Sequence, residues 1–367
     1  MKDARKYENA KYAISAAGFL VNTTFLILLL VFRWTSAIRD FAGRVLVSPS
    51  PSAVVLVYAI LVGGIFTLLQ LPLDFVSGFV LEHRFGLSRQ SLDSWVKDQL
   101  KSLAVGAPLT LAGMEIIYYF LRQDPQRWWI YSSLLFIAFF VLLTNLAPVL
   151  LLPIFFKFTP VEDEELRRRL DRLARYAGTQ VRGLFEWSLG EKTRKANAAV
   201  VGWGNTRRII VSDTLLKNFS AEEIEAIMAH ELCHHVKAHI WWGILVQSVL
   251  TLVSFRAIDY VLRTYGSGFQ GLGDIANFPL LGLTGLALSL LVLPGVNYFS
   301  RRLETAADLY ALDATGDALA FVSSMEKLAE LNLANKSPNK IIEFIFYSHP
   351  SVEQRIRLAA DRVGQNV

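Results

Sequence analysis

Cysteine occurs once in the 367 residues, at Cys233. A single thiol excludes an intrachain disulfide and any zinc cluster built on several thiolates. Charge is also scarce: 19% of residues are Asp, Glu, Lys or Arg, against about a quarter in a soluble domain. The chain shows no internal repeat and no low-complexity linker, and no small-residue cleavage site follows its first apolar run. A net charge of +5 invites a nucleic-acid reading. The basic residues instead follow the ends of apolar stretches, so no nucleic-acid partner is expected.

What replaces charge is hydrocarbon. Hydrophobic residues make up 53% of the chain and mean hydropathy is +0.37. About 20 apolar residues span a bilayer, and six stretches have that length, near 13–33, 53–78, 100–121, 129–156, 241–262 and 278–299. Trp128–Trp129 and Trp241–Trp242 stand at segment starts, where interfacial aromatic anchors belong. The first stretch is too long for a secretory h-region and is expected to be the first span. Lys2, Arg5, Lys6 and Lys11 precede it, and Arg84, Arg89, Lys97 and Lys101 lie between the second and third. The alternate loops carry fewer basic residues: Arg33, Arg39 and Arg44 in one, Arg122 and Arg127 in the other. The positive-inside rule then places both termini and the polar domain beginning at Lys157 in the cytoplasm.

Four parts follow from this pattern: a membrane domain of four spans over 1–156, a polar part over 157–240, two further spans over 241–299, and a polar C-terminal part over 300–367. In the polar middle, Leu166, Leu170, Leu173 and Ala177 recur at helical spacing before Gly178. Two strand-like runs, Ala196–Trp203 and Arg208–Ser212, flank Gly204-Asn205-Thr206, a hairpin signal. The fold class expected is mainly α and polytopic, with a small β-hairpin or sheet in the polar domain. Glu115, Asn145, Arg256 and Asp259 fall within spans, where charge is costly. They are expected to face one another or to line water between the helices.

Four of the six histidines, His230, His234, His235 and His239, fall within ten residues. Residues 230–234 read His-Glu-Leu-Cys-His. Ser220 followed by Glu223 makes a capping-box start, and Ile224, Ile227, Met228 and Leu232 supply an apolar stripe, so the segment is expected to be a helix running towards the fifth span. On a helix, residues four apart lie one turn above each other. His230 and His234 can therefore present ring nitrogens to one point, with Glu231 beside them in reach of a water there. Zinc wants that arrangement: neutral imidazoles, one more protein ligand, and an open position. Cys233 is expected to be a packed residue rather than a ligand, and His83 and His235 structural or solvent-facing.

A third ligand is not settled by spacing alone. Glu304 and Asp308 are four apart after the sixth span, so both carboxylates face one way. They fit an ordinary solvated helix face with Arg301 and Arg302 as partners. They also fit a zinc ligand, Glu304, with Asp308 holding a ligand histidine by its other nitrogen.

The histidine motif, the Ser300-Arg301…Glu304…Ala307-Asp308 segment two spans later, and the spans before the site together resemble the CAAX prenyl protease type I family of integral-membrane zinc metallopeptidases. Further matches are Phe155 to Pro160, where the family usually has asparagine in place of Phe156, then Asn197-Ala198, Asp213 to Leu216, His239, and His349-Pro350 with Arg355. The resemblance covers nearly the whole chain. It implies a zincin-like catalytic domain holding one zinc ion on His230, His234 and Glu304, with Glu231 as general base and Asp308 behind a ligand. It implies substrate added as a strand along Asn197 and Ala198, and His349 and Arg355 contacting substrate or the oxyanion. The expected substrate is a peptide or protein, prenylated or membrane-associated. Cys233 and His235 stand where the family often has glycine and tryptophan, and neither change removes a catalytic group. Six spans, against seven in eukaryotic members, point to a compact, bacterial-type member. Two rival readings are a quality-control protease of membrane proteins and a transporter or channel with a structural metal site.

Overall fold

Helix starts are written locally in this chain. Ser50 Oγ accepts from Ala53 N with Pro51 in the first turn, Ser91 Oγ accepts from Ser94 N, and Asp163 accepts from Glu165 N and Leu166 N, each satisfying a donor the helix leaves unpaired. The computed structural model describes all residues except 1, 180, 203–206, 267–268 and 366–367. The membrane half comprises α1 (Lys2–Val31), α2 (Trp34–Arg44), α3 (Pro51–Phe75), a π-helical turn leading into α4 (Leu81–Arg84), α5 (Leu92–Gln123), α6 (Trp128–Leu150) and α7 (Leu152–Phe155). There follow β1 (Phe158–Pro160), α8 (Glu164–Tyr176), β2 (Leu184–Trp187), β3 (Ala198–Val201), β4 (Arg208–Ser212), α9 (Asp213–Asn218), α10 (Ala221–Val236) and α11 (His239–Tyr265). The chain closes with α12 (Phe278–Thr315), α13 (Ala318–Leu331), α14 (Lys340–Phe346) and α15 (Val352–Gln365).

Among the described residues, six helical stretches are long and apolar enough to cross a membrane: Lys2–Val31, Pro51–Arg84, Leu92–Gln123, Trp128–Phe155, His239–Tyr265 and Ile275–Thr315. Each expected span falls on one of them. The first stops at Val31 rather than reaching Arg33, because Arg33 takes a left-handed φ of 54° and the chain restarts as α2. Pro72, Pro108, Pro148 and Pro294 lie inside α3, α5, α6 and α12. Such breakers are tolerated where neighbouring helices and local π adjustment re-satisfy the backbone.

The sheet has four strands in the order β1-β2-β4-β3. β3 and β4 pair antiparallel with Ala198 opposite Val211. The expected strand over Ala196–Trp203 shortens to Ala198–Val201, and the expected turn at Gly204-Asn205-Thr206 lies outside the described residues. β2 runs parallel to β4, and β1 pairs antiparallel with β2. These two strands, three and four residues long, are too short to show a period of two.

Two cores result. Phe25, Leu29, Tyr58, Val62, Leu121, Phe255 and Leu262 pack at the centre of the helix bundle. The second core joins chain segments on both sides of the last two spans: Leu166, Leu170, Val211, Met228 and Leu232 pack with Ala311, Phe321, Met325 and Ala359. That core fixes α10 against α12, and α12 continues without a break from the sixth span through Asp308. Glu304 and Asp308 are therefore carried on a rigid extension of a membrane helix.

Candidate active site

α10 opens with the expected capping box: Ser220 Oγ accepts from Glu223 N at 3.3 Å and Glu223 Oε2 accepts from Ser220 N at 2.8 Å. The buried Glu223 carboxylate also accepts from Ser323 Oγ at 2.6 Å and Lys327 Nζ at 2.7 Å, both on α13. Burial pushes its pKa up, but these donors outweigh it and the net shift is downward. Ile224, Ile227, Met228 and Leu232 are buried as the stripe requires, and Cys233 is buried with them. The helix does not run on into the fifth span. Ala238 adopts φ 56°, the chain turns there, and α11 begins afresh at His239.

The packing of α10 against α12 assembles a three-residue group. One ligand atom from each of His230, His234 and Glu304 lies within 4.8 Å of the others. The Nε2 atoms of His230 and His234 are 3.4 Å apart. Glu304 Oε2 is 3.1 Å from His230 Nε2, and Oε1 is 3.6 Å from His234 Nε2. Metal–ligand bonds of about 2.0–2.1 Å in a tetrahedron would separate the ligand atoms by about 3.3 Å, close to what is seen. Glu304 Oε2 is buried and has no geometrically acceptable hydrogen-bond partner among the described residues. An orphaned carboxylate oxygen beside two converging imidazole nitrogens is a donor set that fits zinc.

Behind the group stand its supports. Asp308, fully buried, meets His230 Nδ1 at 2.8 Å. Arg355 donates to Asp308 from Nε at 2.8 Å and from Nη2 at 2.5 Å. Two of the arginine's donors are thus spent on Asp308. His239, also buried, places its Nδ1 3.1 Å from His234 Nδ1. Sequence reading noted His239 without giving it a task. The signal was its five-residue separation from His234, which becomes a contact only through the turn at Ala238. His349 lies on the α14–α15 connection, 57% exposed, with Nε2 3.3 Å from Glu304 Oε2.

Electrostatics follow the same geometry. Burial lowers the pKa of His230, but Asp308 and Glu304 overcome it and raise it to about 9. Burial and the charge of His230 take His234 down to about 4. Burial pushes the Glu231 carboxyl above its usual range, with His230 opposing and Glu304 assisting. Glu231 remains partly open to solvent, and its carboxylate enters no hydrogen bond or ion pair among the described residues.

Ala198 begins the edge strand β3. Ser212 N donates to Asn197 O at 2.9 Å and Asn197 N donates to Ser212 Oγ at 3.0 Å. By the alternation of an antiparallel edge, Ala198 and Val200 then turn their peptide groups outward. The Asn197 side chain accepts from Ala198 N at 2.9 Å, and His235 Nε2 donates to Val200 O at 3.0 Å. His235 is therefore structural. The His83 ring meets the carbonyl of Phe79, one turn back in the preceding π-helical turn, at 2.7 Å. Within the spans, Arg256 pairs with Asp259 at 2.9 Å and Glu115 with Arg122 at 2.8 Å. Asn145 lies beside a small cavity next to His234.

A long-helix membrane bundle carrying two histidines and a glutamate on apposed helices defines an integral-membrane metallopeptidase. The chain belongs to peptidase family M48, whose model matches residues 160–363. A second model, the CAAX prenyl protease N-terminal domain with five membrane helices, matches 1–157. Four helices of spanning length and the shorter α2 occupy that stretch here. The chain is 30% identical to the uncharacterised metalloprotease YhfN of Bacillus subtilis, over 97% of this chain and 84% of that protein. It is 28% identical to CAAX prenyl protease 1 of Saccharomyces cerevisiae, over 83% and 71% of the two chains. The crystal structure of S. mikatae Ste24p shares the fold, with a TM-score of 0.86 at 24% identity over 97% of this chain and 88% of that one. The protein is thus a multi-pass membrane zinc metallopeptidase acting on peptides or proteins, which sets aside the transporter reading.

Proposed function

We propose that His230, His234 and Glu304 hold one zinc ion and that Glu231 is the general base of peptide hydrolysis. The observation that carries this reading is the convergence of three ligand atoms within 4.8 Å beside a carboxylate unpaired among the described residues. Zinc, when bound, polarises a peptide carbonyl and lowers the pKa of a water molecule to about 7. Glu231 takes the proton from the attacking water and passes it to the leaving amine. Asp308 fixes the tautomer and orientation of His230, and Arg355 holds Asp308 in turn. His349, exposed beside Glu304, is the donor for charge developing on the carbonyl oxygen. Asn197 and Ala198 align substrate backbone along the edge of β3.

The polar domain and both termini face the cytoplasm, supported by the basic residues flanking the first three spans. The preferred substrate is a prenylated C-terminal peptide, supported by the named activity of the relatives. Cleavage of a farnesylated CAAX peptide by the purified protein, beside its unprenylated twin, tests this. Preference for the lipidated peptide supports it. Equal zinc-dependent turnover of both would replace it with a quality-control protease indifferent to prenylation.

A further inference from the structure

The geometry points to a binding site for an anionic glycerophospholipid at the end of the helix bundle away from the metal group. Its phosphate lies on Arg256 and an acyl chain lies along the groove between α11 and α12. Helix α11 leaves the metal group at His239 and reaches Arg256 seventeen residues later, roughly 25 Å along its axis at 1.5 Å per residue. There a cleft of about 790 Å³ opens on the outside of the bundle. Its floor is mostly apolar, with Leu252, Val253, Val261, Ala287, Leu288 and Leu291, and Trp129, Arg256 and Tyr260 are among the rest of its lining.

Charge selects the occupant. Asp259 is buried and accepts from Trp128 Nε1 at 2.7 Å, Arg256 Nη1 at 2.9 Å and Arg263 Nε at 3.0 Å. Two guanidinium groups share one carboxylate, which leaves one positive charge over. Arg263 reaches out of the bundle to the Pro125 carbonyl. Arg256 does not: its side chain is 56% exposed, with its guanidinium 5.7 Å from the centre of the Trp129 ring. In a bilayer that exposed face meets lipid, where a cation and N–H donors left without partners are costly. A lipid phosphate removes the cost, since its oxygens match the guanidinium fork. The surplus charge favours a headgroup with net negative charge over a zwitterionic one. Trp129 and Tyr260 are the aromatic types that settle at headgroup depth.

The test uses the full-length zinc-loaded protein, stripped of lipid in detergent, and follows its thermal midpoint. Phosphatidylglycerol, phosphatidylcholine of the same chains, and inorganic phosphate are added separately. Phosphatidylglycerol should raise the midpoint by about 3–5 °C at saturation, phosphatidylcholine by less than half as much, and inorganic phosphate not at all. Arg256→Gln should erase the preference between the two lipids. Ala287→Trp, which fills the groove without touching the ion pairs, should abolish the response to both. It decides the matter if Arg256→Gln does not fold. Equal shifts with the two lipids, a shift reproduced by inorganic phosphate, or a wild-type response from Ala287→Trp would overturn the site.

Discussion

The Nδ1 atoms of His234 and His239 lie 3.1 Å apart, so one ring must donate and the other accept. If His234 offers Nε2 to zinc, its Nδ1 carries the proton and His239 must be the neutral acceptor. The two histidines of the motif are therefore supported differently, His230 by a carboxylate and His234 by a second imidazole.

Removing that acceptor should loosen the metal. His239→Phe should weaken zinc binding by about 10–100-fold, and His239→Gln, whose side-chain carbonyl can still accept, should recover most of it. Competition with a chelator on the purified proteins measures this. An unchanged affinity in His239→Phe would remove His239 from the metal site.

Glu223 ties the start of α10 to α13 and predicts an acid limit on stability. Its folded pKa lies below the ordinary 4.5. The stabilisation it gives is therefore present above pH 4.5 and is lost as pH falls through the lower folded value. Glu223→Ala should cost about 1–3 kcal/mol near neutrality, through an unpaired cap and an unpaired Lys327. Thermal midpoints of wild type and variant should converge on acidification below pH 4.5. A difference that stayed constant with pH would contradict the assignment.

Strand addition at β3 predicts a selective defect. Ala198→Pro removes an outward N–H from the edge without touching a metal ligand. Zinc content should stay normal while turnover falls. Unchanged cleavage kinetics in the folded variant would take the strand out of substrate recognition.

Orientation can be read with reporters. One fused after residue 367 should report cytoplasm, and one inserted in the loop over 264–277 should report the opposite side. Reversed signals would overturn the orientation drawn from the basic residues.

What could be read from sequence was what depends on local spacing. Six spans need only about 20 apolar residues each, and His230 with His234 needs only helical geometry four residues apart. The remaining site contacts are long-range. Asp308 meets His230 across 78 positions and Arg355 meets Asp308 across 47. Without the family likeness, the Glu304–Asp308 pair reads more readily as a solvated face with Arg301 and Arg302. In the structure Arg301 instead binds the carbonyls of Glu343, Phe344 and Tyr347. The left-handed turn at Ala238 has no glycine to mark it, so the break before His239 was invisible. β1 and β2 were too short to show alternation.

The central claim is that one zinc ion is held by three residues while a fourth does the proton transfer, and paired zinc content and peptide turnover test it directly. Glu231→Gln should retain about one zinc per chain and lose about 10²–10⁴-fold in turnover, because an amide cannot take the water's proton. Glu304→Ala should lose both metal and activity, and Asp308→Ala should bind zinc about 10–100-fold more weakly. Full zinc occupancy with normal turnover in Glu304→Ala, or wild-type turnover in Glu231→Gln, would contradict the account.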